Sequence, residues 1–211
     1  VKHPTPATAT TAVLAVGVIG LSALAGCGSS DDPGAPQVAV DTADVHDAPT
    51  NLKSTGFQGI LLPVADQGPH QQNGPAATGF DHNPVGAALA AIHATVRMSV
   101  ATDTQWPVIG QQMLAPGPGR DTWALARAQL SITEPAAVVP KVLGYQVTSY
   151  TPDRTDIAIY TLQPDTSLTR NTATVVWQSE DWKLLVPDQP RAPAVSTLLS
   201  LPADLITLPM R

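Results

Sequence analysis

Cysteine is nearly absent from this 211-residue chain: it has one. A single thiol excludes an internal disulfide framework and any multi-cysteine zinc site. Charge is also scarce, at 13% of residues, and cationic charge most of all, with eleven Lys plus Arg against seventeen Asp plus Glu. The formal charge of -6 and the pI near 5.1 argue against a broad basic surface for phosphate backbones, so no nucleic-acid partner is expected. Aromatic residues make up only 4%. What is abundant is proline, at 21 residues, together with 15 glycines and a 43% apolar fraction, enough to build one core between breaks.

The lone cysteine has a telling position. Lys2 and His3 precede a run from Ala12 to Gly26 without a charged residue, which closes on Leu24, Ala25 and Gly26 just before Cys27. This is the layout of a secretory signal. Fifteen residues rise about 22 Å as a helix, short of the roughly 30 Å hydrocarbon core, and Gly17 and Gly20 weaken the helix further. The Leu-Ala-Gly-Cys order resembles the lipobox of bacterial lipoproteins, which implies that Cys27 is the lipid attachment site and that residues 1–26 are a lipoprotein signal peptide. The alternative is an ordinary buried cysteine at the end of an uncleaved anchor. Acylation at about 0.8 kcal/mol per buried methylene, with two or three chains, holds a protein on the outer face of a membrane. The lipid membrane is therefore the first expected partner.

Residues 27–56 carry Gly, Ser, Pro, Thr and five acidic residues with Lys53 alone opposing them, and read as a disordered acidic tether. Residues 57–188 read as a single α+β domain. Its opening run, Gly59 to Val64, is expected as one extended edge segment, because Pro63 has no amide hydrogen. Asn83 before Pro84 is a helix start signal, and Val85, Leu89, Ile92, Val96 and Val100 trace one face of a helix over about 84–102. Shorter helices are expected over Trp106–Leu114 and Asp121–Leu130, separated by a Pro/Gly segment at 115–120. The period then changes. Leu143–Tyr150, Asp156–Leu162, Asn171–Ser179 and Trp182–Val186 are rich in Val, Ile, Thr, Tyr and Trp and read as an antiparallel meander, with Glu180-Asp181 as its last turn. The expected fold is α+β: a long N-terminal helix plus short helices packed on a curved, cone-like antiparallel sheet of about four strands. That order resembles nuclear-transport-factor-2-like and cystatin-like folds. Residues 189–211 read as a Pro-rich apolar C-terminal tail, which either covers the domain or presents a strip to a partner.

Thr78–Ala91, Ala115–Asp121, and the segments Thr174–Trp177 and Asp181–Leu184 together resemble an uncharacterised domain family of actinobacterial lipoproteins and secreted proteins associated with integrative conjugative elements. The resemblance covers roughly residues 56–188. It brings no catalytic residue and no cofactor, and it implies protein partners among the subunits of a transfer or secretion apparatus. The extracytoplasmic domain of type IV secretion scaffold subunits is similar in proposed architecture.

Candidate chemistry is thin. His93 and Asp103 are an acid/base pair by residue type, but ten residues of helix rise about 15 Å, too far for both to reach one substrate. A solvated or capping role is expected for His93 and a turn role for His82. His46, His70, His82 and His93 never recur at a spacing of three or four, so no metal site is expected. The Gly117–Thr122 segment lacks the Gly-Lys-Ser/Thr ending of a phosphate loop, leaving Arg120 as a loop residue. No Gly-x-Ser-x-Gly elbow occurs. Trp106, Trp123, Trp177 and Trp182 suit core positions better than a ligand pocket. The expectation is a non-enzymatic, membrane-anchored interaction module. The alternatives are a small-molecule carrier and, more weakly, an isomerase or dehydratase.

Overall fold

Two β-hairpins come before any helix. The computed structural model describes residues 44–190 and 192–210, so the signal segment 1–26, Cys27 and the tether as far as residue 43 lie outside the described residues. In the first hairpin β1 (Lys53–Phe57) pairs with β2 (Ile60–Val64), and in the second β3 (Gln71–Asn73) pairs with β4 (Ala76–Thr78). Gln58 and Gly59 turn the first with φ of 49° and 81°, the primed geometry that matches strand twist. Of the run Gly59–Val64, Ile60 onward is extended and at an edge as expected, as β2; what the hairpins add is its partner β1 and the separate pair β3–β4. Pro63 does stand in a two-stranded ladder, where each strand keeps a free side and a missing N–H costs little.

The tether boundary moves as well. Residues 44–56 are ordered: the Tyr145 hydroxyl donates to Asp47 O, Thr50 Oγ1 and Asn51 Nδ2 both donate to Asp66 Oδ2, and β1 begins at Lys53.

Helix α1 (Pro84–Val100) starts where Asn83-Pro84 predicts. Asn83 is extended, its Oδ1 accepts from Gly86 N at 2.8 Å, and Pro84 occupies the first turn, where its missing N–H removes an orphan donor. Gly86 is required there, because a Cβ would lie 2.1 Å from Asp81 O. Leu89 and Ile92 are fully buried, and so are the flanking alanines at 87, 88, 90 and 91, because the helix is enclosed by the hairpins as well as the sheet. Two shorter helices follow, α2 (Trp106–Gln112) and α3 (Pro118–Arg127). The start of α3 inside the Pro/Gly segment corrects the later start expected at Asp121; Pro118 is tolerated because it stands in the first turn.

The meander is β5 (Lys141–Thr151), β6 (Arg154–Leu162), β7 (Leu168–Gln178) and β8 (Asp181–Leu184), all antiparallel. The tail adds two strands. β9 (Val195–Leu198) pairs with β7 beyond the end of β8, and β10 (Ile206–Thr207) pairs with β5. Ile157, Ile159, Ala173 and Val175 alternate along β6 and β7 and meet α1 in one core with Trp182 and Leu184.

The expected architecture, a long N-terminal helix on about four strands, is therefore wrong. Four strands precede the 17-residue α1, the main sheet has six strands, and strand outweighs helix at 36% against 20% of the described residues. The cause lies in short elements. Strands of two to five residues cannot display a period, whereas a helix of five turns announces itself.

Candidate functional site

The histidine and carboxylate candidates part company in the structure. His93 is fully buried, which overturns the solvated or capping role expected of it. Its Nε2 donates to Pro63 O at 2.7 Å and its Nδ1 accepts from Arg97 Nε at 3.3 Å. Arg97 is buried too; it donates to Pro75 O at 2.6 Å and lies 4.4 Å from the Phe57 ring centroid. One turn of α1 thus clamps both hairpins to the helix. Burial, reinforced by the neighbouring Arg97 charge, pulls the imidazole from 6.5 down to about 3, and burial lowers Arg97 to about 10, so the pair is neutral imidazole and charged guanidinium at pH 7. The signal for this clamp was present: histidine and arginine four apart share a helix face.

A pH dependence follows. Unfolded, His93 takes up a proton as pH falls through 6.5; folded, it resists until about 3. Its contribution is complete above the upper value and is lost between the two, about 2 kcal/mol by pH 5. Urea unfolding at pH 7.5 and pH 5 should show that difference, and His93→Gln, which keeps a donor for Pro63 O, should shrink it. An unchanged pH slope in the variant would count against the clamp.

Asp103 accepts from Ile132 N at 2.9 Å, Ser131 Oγ at 2.8 Å and Arg127 at 3.1 Å. Those bonds, the Ile132 amide first, hold its carboxyl below the usual range. Arg127 also donates to Ala101 O and Leu130 O, so the group staples the chain after α3 to the end of α1. None of these partners is shared with His93. His82 stacks on Trp177 at 3.8 Å and 10°, and its Nε2 bonds to Pro152 O. Trp182 meets both rings edge-on and donates Nε1 to Asp81 O at 3.0 Å; Trp106 and Trp123 form a second edge-on pair at 5.9 Å. The tryptophans thus pack as expected, with Trp182 buried and the others half-buried. His70 Nε2 and Asp81 Oδ1 are 2.8 Å apart on a half-exposed surface. Among the described residues, no hydroxyl or thiol bonds the other nitrogen of His70.

Among the concavities of the described residues, two bear on function. The first, about 570 Å³, lies on the outer side of the β7–β8 hairpin. Its turn is Ser179-Glu180, both at positive φ, rather than Glu180-Asp181, and this correction by one residue puts Asp181 on the face it shares with Gln178 and Lys183. The buried Asp181 carboxylate accepts from Gly79 N at 3.1 Å, Phe80 N at 3.0 Å, Trp182 N at 3.0 Å and Lys183 Nζ at 3.1 Å. Lys183 also donates to Gln112 O at 2.6 Å. Gln71, Gln111 and Arg120 line the walls, and Arg120 leans on Asp121 at 3.3 Å. Asp181 and Lys183 escaped the sequence reading, although their alternation with Trp182 marks a strand with one polar face. The second concavity, about 760 Å³ and mostly apolar, lies between α1, β7 and the chain joining β8 to β9.

Fold and site together define an α+β domain whose buried ionisable groups bond to its own backbone. The chain belongs to a family described as a domain of unknown function, DUF8175, whose model matches residues 22–203. No curated protein and no solved structure matches the chain. Among the described residues, no three His, Cys, Asp or Glu side chains gather as a metal site, and no helix is long and apolar enough to cross a membrane.

Proposed function

We propose that this chain is a lipid-anchored, extracytoplasmic interaction module without catalytic activity, accessory to a conjugative transfer apparatus. The observation that carries the reading is the edge strand β9. Among the described residues it pairs with β7 on one side only, and Val195, Leu199 and Leu201 along it and just beyond stand exposed. An unpaired edge carrying apolar side chains suits strand addition by a protein partner, in which backbone bonds give affinity and alternate side chains give selectivity. The anchor reading rests on the Leu24-Ala25-Gly26-Cys27 order after an uncharged run.

The test is cross-linking in intact donor cells with a C-terminally tagged copy, followed by identification of what solubilised membranes release. Transfer-channel subunits should be enriched with the native chain and lost with Cys27→Ala, which should also shift the protein to the medium or leave an uncut precursor. Leu199→Asp should abolish the enrichment while leaving processing intact. Recovery of the lipoprotein alone would overturn the module reading, and unchanged processing of Cys27→Ala would overturn the anchor.

A further inference from the structure

The apolar cavity of about 760 Å³ has no part in the reading above. Its volume falls within the range of roughly 300–1,000 Å³ that encloses small ligands. Met98 of α1, Ala173 of β7, and Leu184 and Val186 line it, and Pro187, Pro190 and Pro193 add rings that bring no N–H in need of a partner.

Three polar features interrupt this wall. Thr95 Oγ1 is buried without a hydrogen-bond partner, whereas a helical threonine ordinarily bonds the carbonyl one turn back. The edge of β7 is open between β8 and β9: Thr172 N donates to Ala194 O at 2.9 Å and Thr174 O accepts from Leu185 N at 2.8 Å. The N–H and C=O of one residue in an antiparallel strand point the same way. Thr172 C=O and Thr174 N–H therefore face the same gap, and no described residue bonds either. The third feature is charge. Arg154 and Arg170 stand at opposite ends of the cavity. Arg154 pairs with Val176 across the ladder, six residues from Arg170 along β7, which is about 20 Å. One head group cannot reach both. Arg154 has Asp156 at 3.9 Å, while Arg170 has no carboxylate within ion-pair distance among the described residues.

We propose that this cavity binds a single-chain anionic amphiphile of the fatty-carboxylate class, its carboxylate at Arg170 on the sheet face away from α1 and its hydrocarbon chain passing the open edge of β7 to the apolar wall at Met98. Thr174 N–H and Thr95 Oγ1 lie along the path of the chain.

The experiment uses the full 211-residue chain with Cys27→Ala, so that no covalent acyl chain competes. Calorimetric titration with decanoate should give one saturable site, and decanoate should slow hydrogen exchange at the Thr174 amide. Arg170→Gln should weaken decanoate about tenfold, the worth of one charge-assisted bond, while changing the affinity for 1-decanol less than about twofold. Arg154→Gln should change neither. Both arginines are exposed, so the variants fold. Absence of saturable binding would overturn the proposal. So would equal losses in the two arginine variants, which mean a diffuse charge effect, or no loss in Arg170→Gln, which means an apolar site without a head-group position.

Discussion

Deleting Leu205–Arg211 is expected to destabilise the domain by about 5 kcal/mol, although the segment is shorter than two turns of helix and follows the last long strand. The reason is what those residues bury. Ile206, Leu208 and Met210 are buried against β5 and the core, each at about 1.5–3 kcal/mol, less the part that a compact unfolded chain already hides. Leu208 N also donates to Leu143 O at 2.9 Å, so the deletion opens the edge of β5. At about 2–4 °C per kcal/mol for a domain of this size, the melting temperature should fall by roughly 10–20 °C. Gly144→Ala tests the same contact from the other side, because a Cβ there would stand 2.3 Å from Ile206 O and force β10 away. A melting temperature unchanged by the deletion would show that β10 does not dock in solution. The result separates two roles that the sequence left entangled in one apolar tail: residues 206–210 close the domain, while Val195, Leu199 and Leu201 stay outside it. Leu199→Asp should accordingly leave the melt within about 1 °C of native, as expected for a surface change away from any buried feature.

Legibility followed the length of each element. The five-turn α1 is readable because Asn83-Pro84 and the spacing from Val85 to Val100 agree, and β5 to β7 are readable because strands of nine to eleven residues show alternation, the four-residue β8 following from the turn before it. The hairpins were missed because Gln58-Gly59 and Gly74-Pro75 are turn signals set between strands too short to look like strands. The tail strands were hidden behind Pro202 and the proline-spaced run before them. The site failed differently. The spacing of His93 from Asp103 speaks only to catalysis, whereas its informative neighbour is Arg97 one turn away. Asp181 was assigned to a turn because Asp is a frequent turn residue, but its carboxylate holds amides about a hundred positions earlier in the chain, and no local pattern announces such a bond. Residues whose partners are distant backbone groups are the ones a single sequence conceals.

Asp181→Ala should cost about 3–5 kcal/mol, comparable to removing the whole C-terminal strand. The substitution deletes one acceptor group, strands the amides of Gly79, Phe80 and Trp182, and leaves the Lys183 ammonium with Gln112 O but without its counter-charge. An amide left buried without a partner costs about 1–3 kcal/mol, and a charge costs more. Water entering the cleft can recover part of this at Lys183, the more exposed partner, but less at Phe80 N, whose bond is buried. Asp181→Asn should therefore be intermediate, since it keeps an acceptor for the amides and loses the charge. Lys183→Met should be milder than either, because Asp181 retains its three amide donors. Urea unfolding of the three variants and of the Asp181→Ala, Lys183→Met double variant completes a cycle; the double variant should lose less than the sum, as no ammonium is left without its counter-charge. A loss below about 1 kcal/mol in Asp181→Ala would mean that the amides find water, and that the cleft is wetter than its geometry implies. If the full cost appears, the joint between β4, α2 and β8 is held by one carboxylate, and the polar cleft has a rigid floor on which Gln71, Gln111 and Arg120 are fixed in relation to one another.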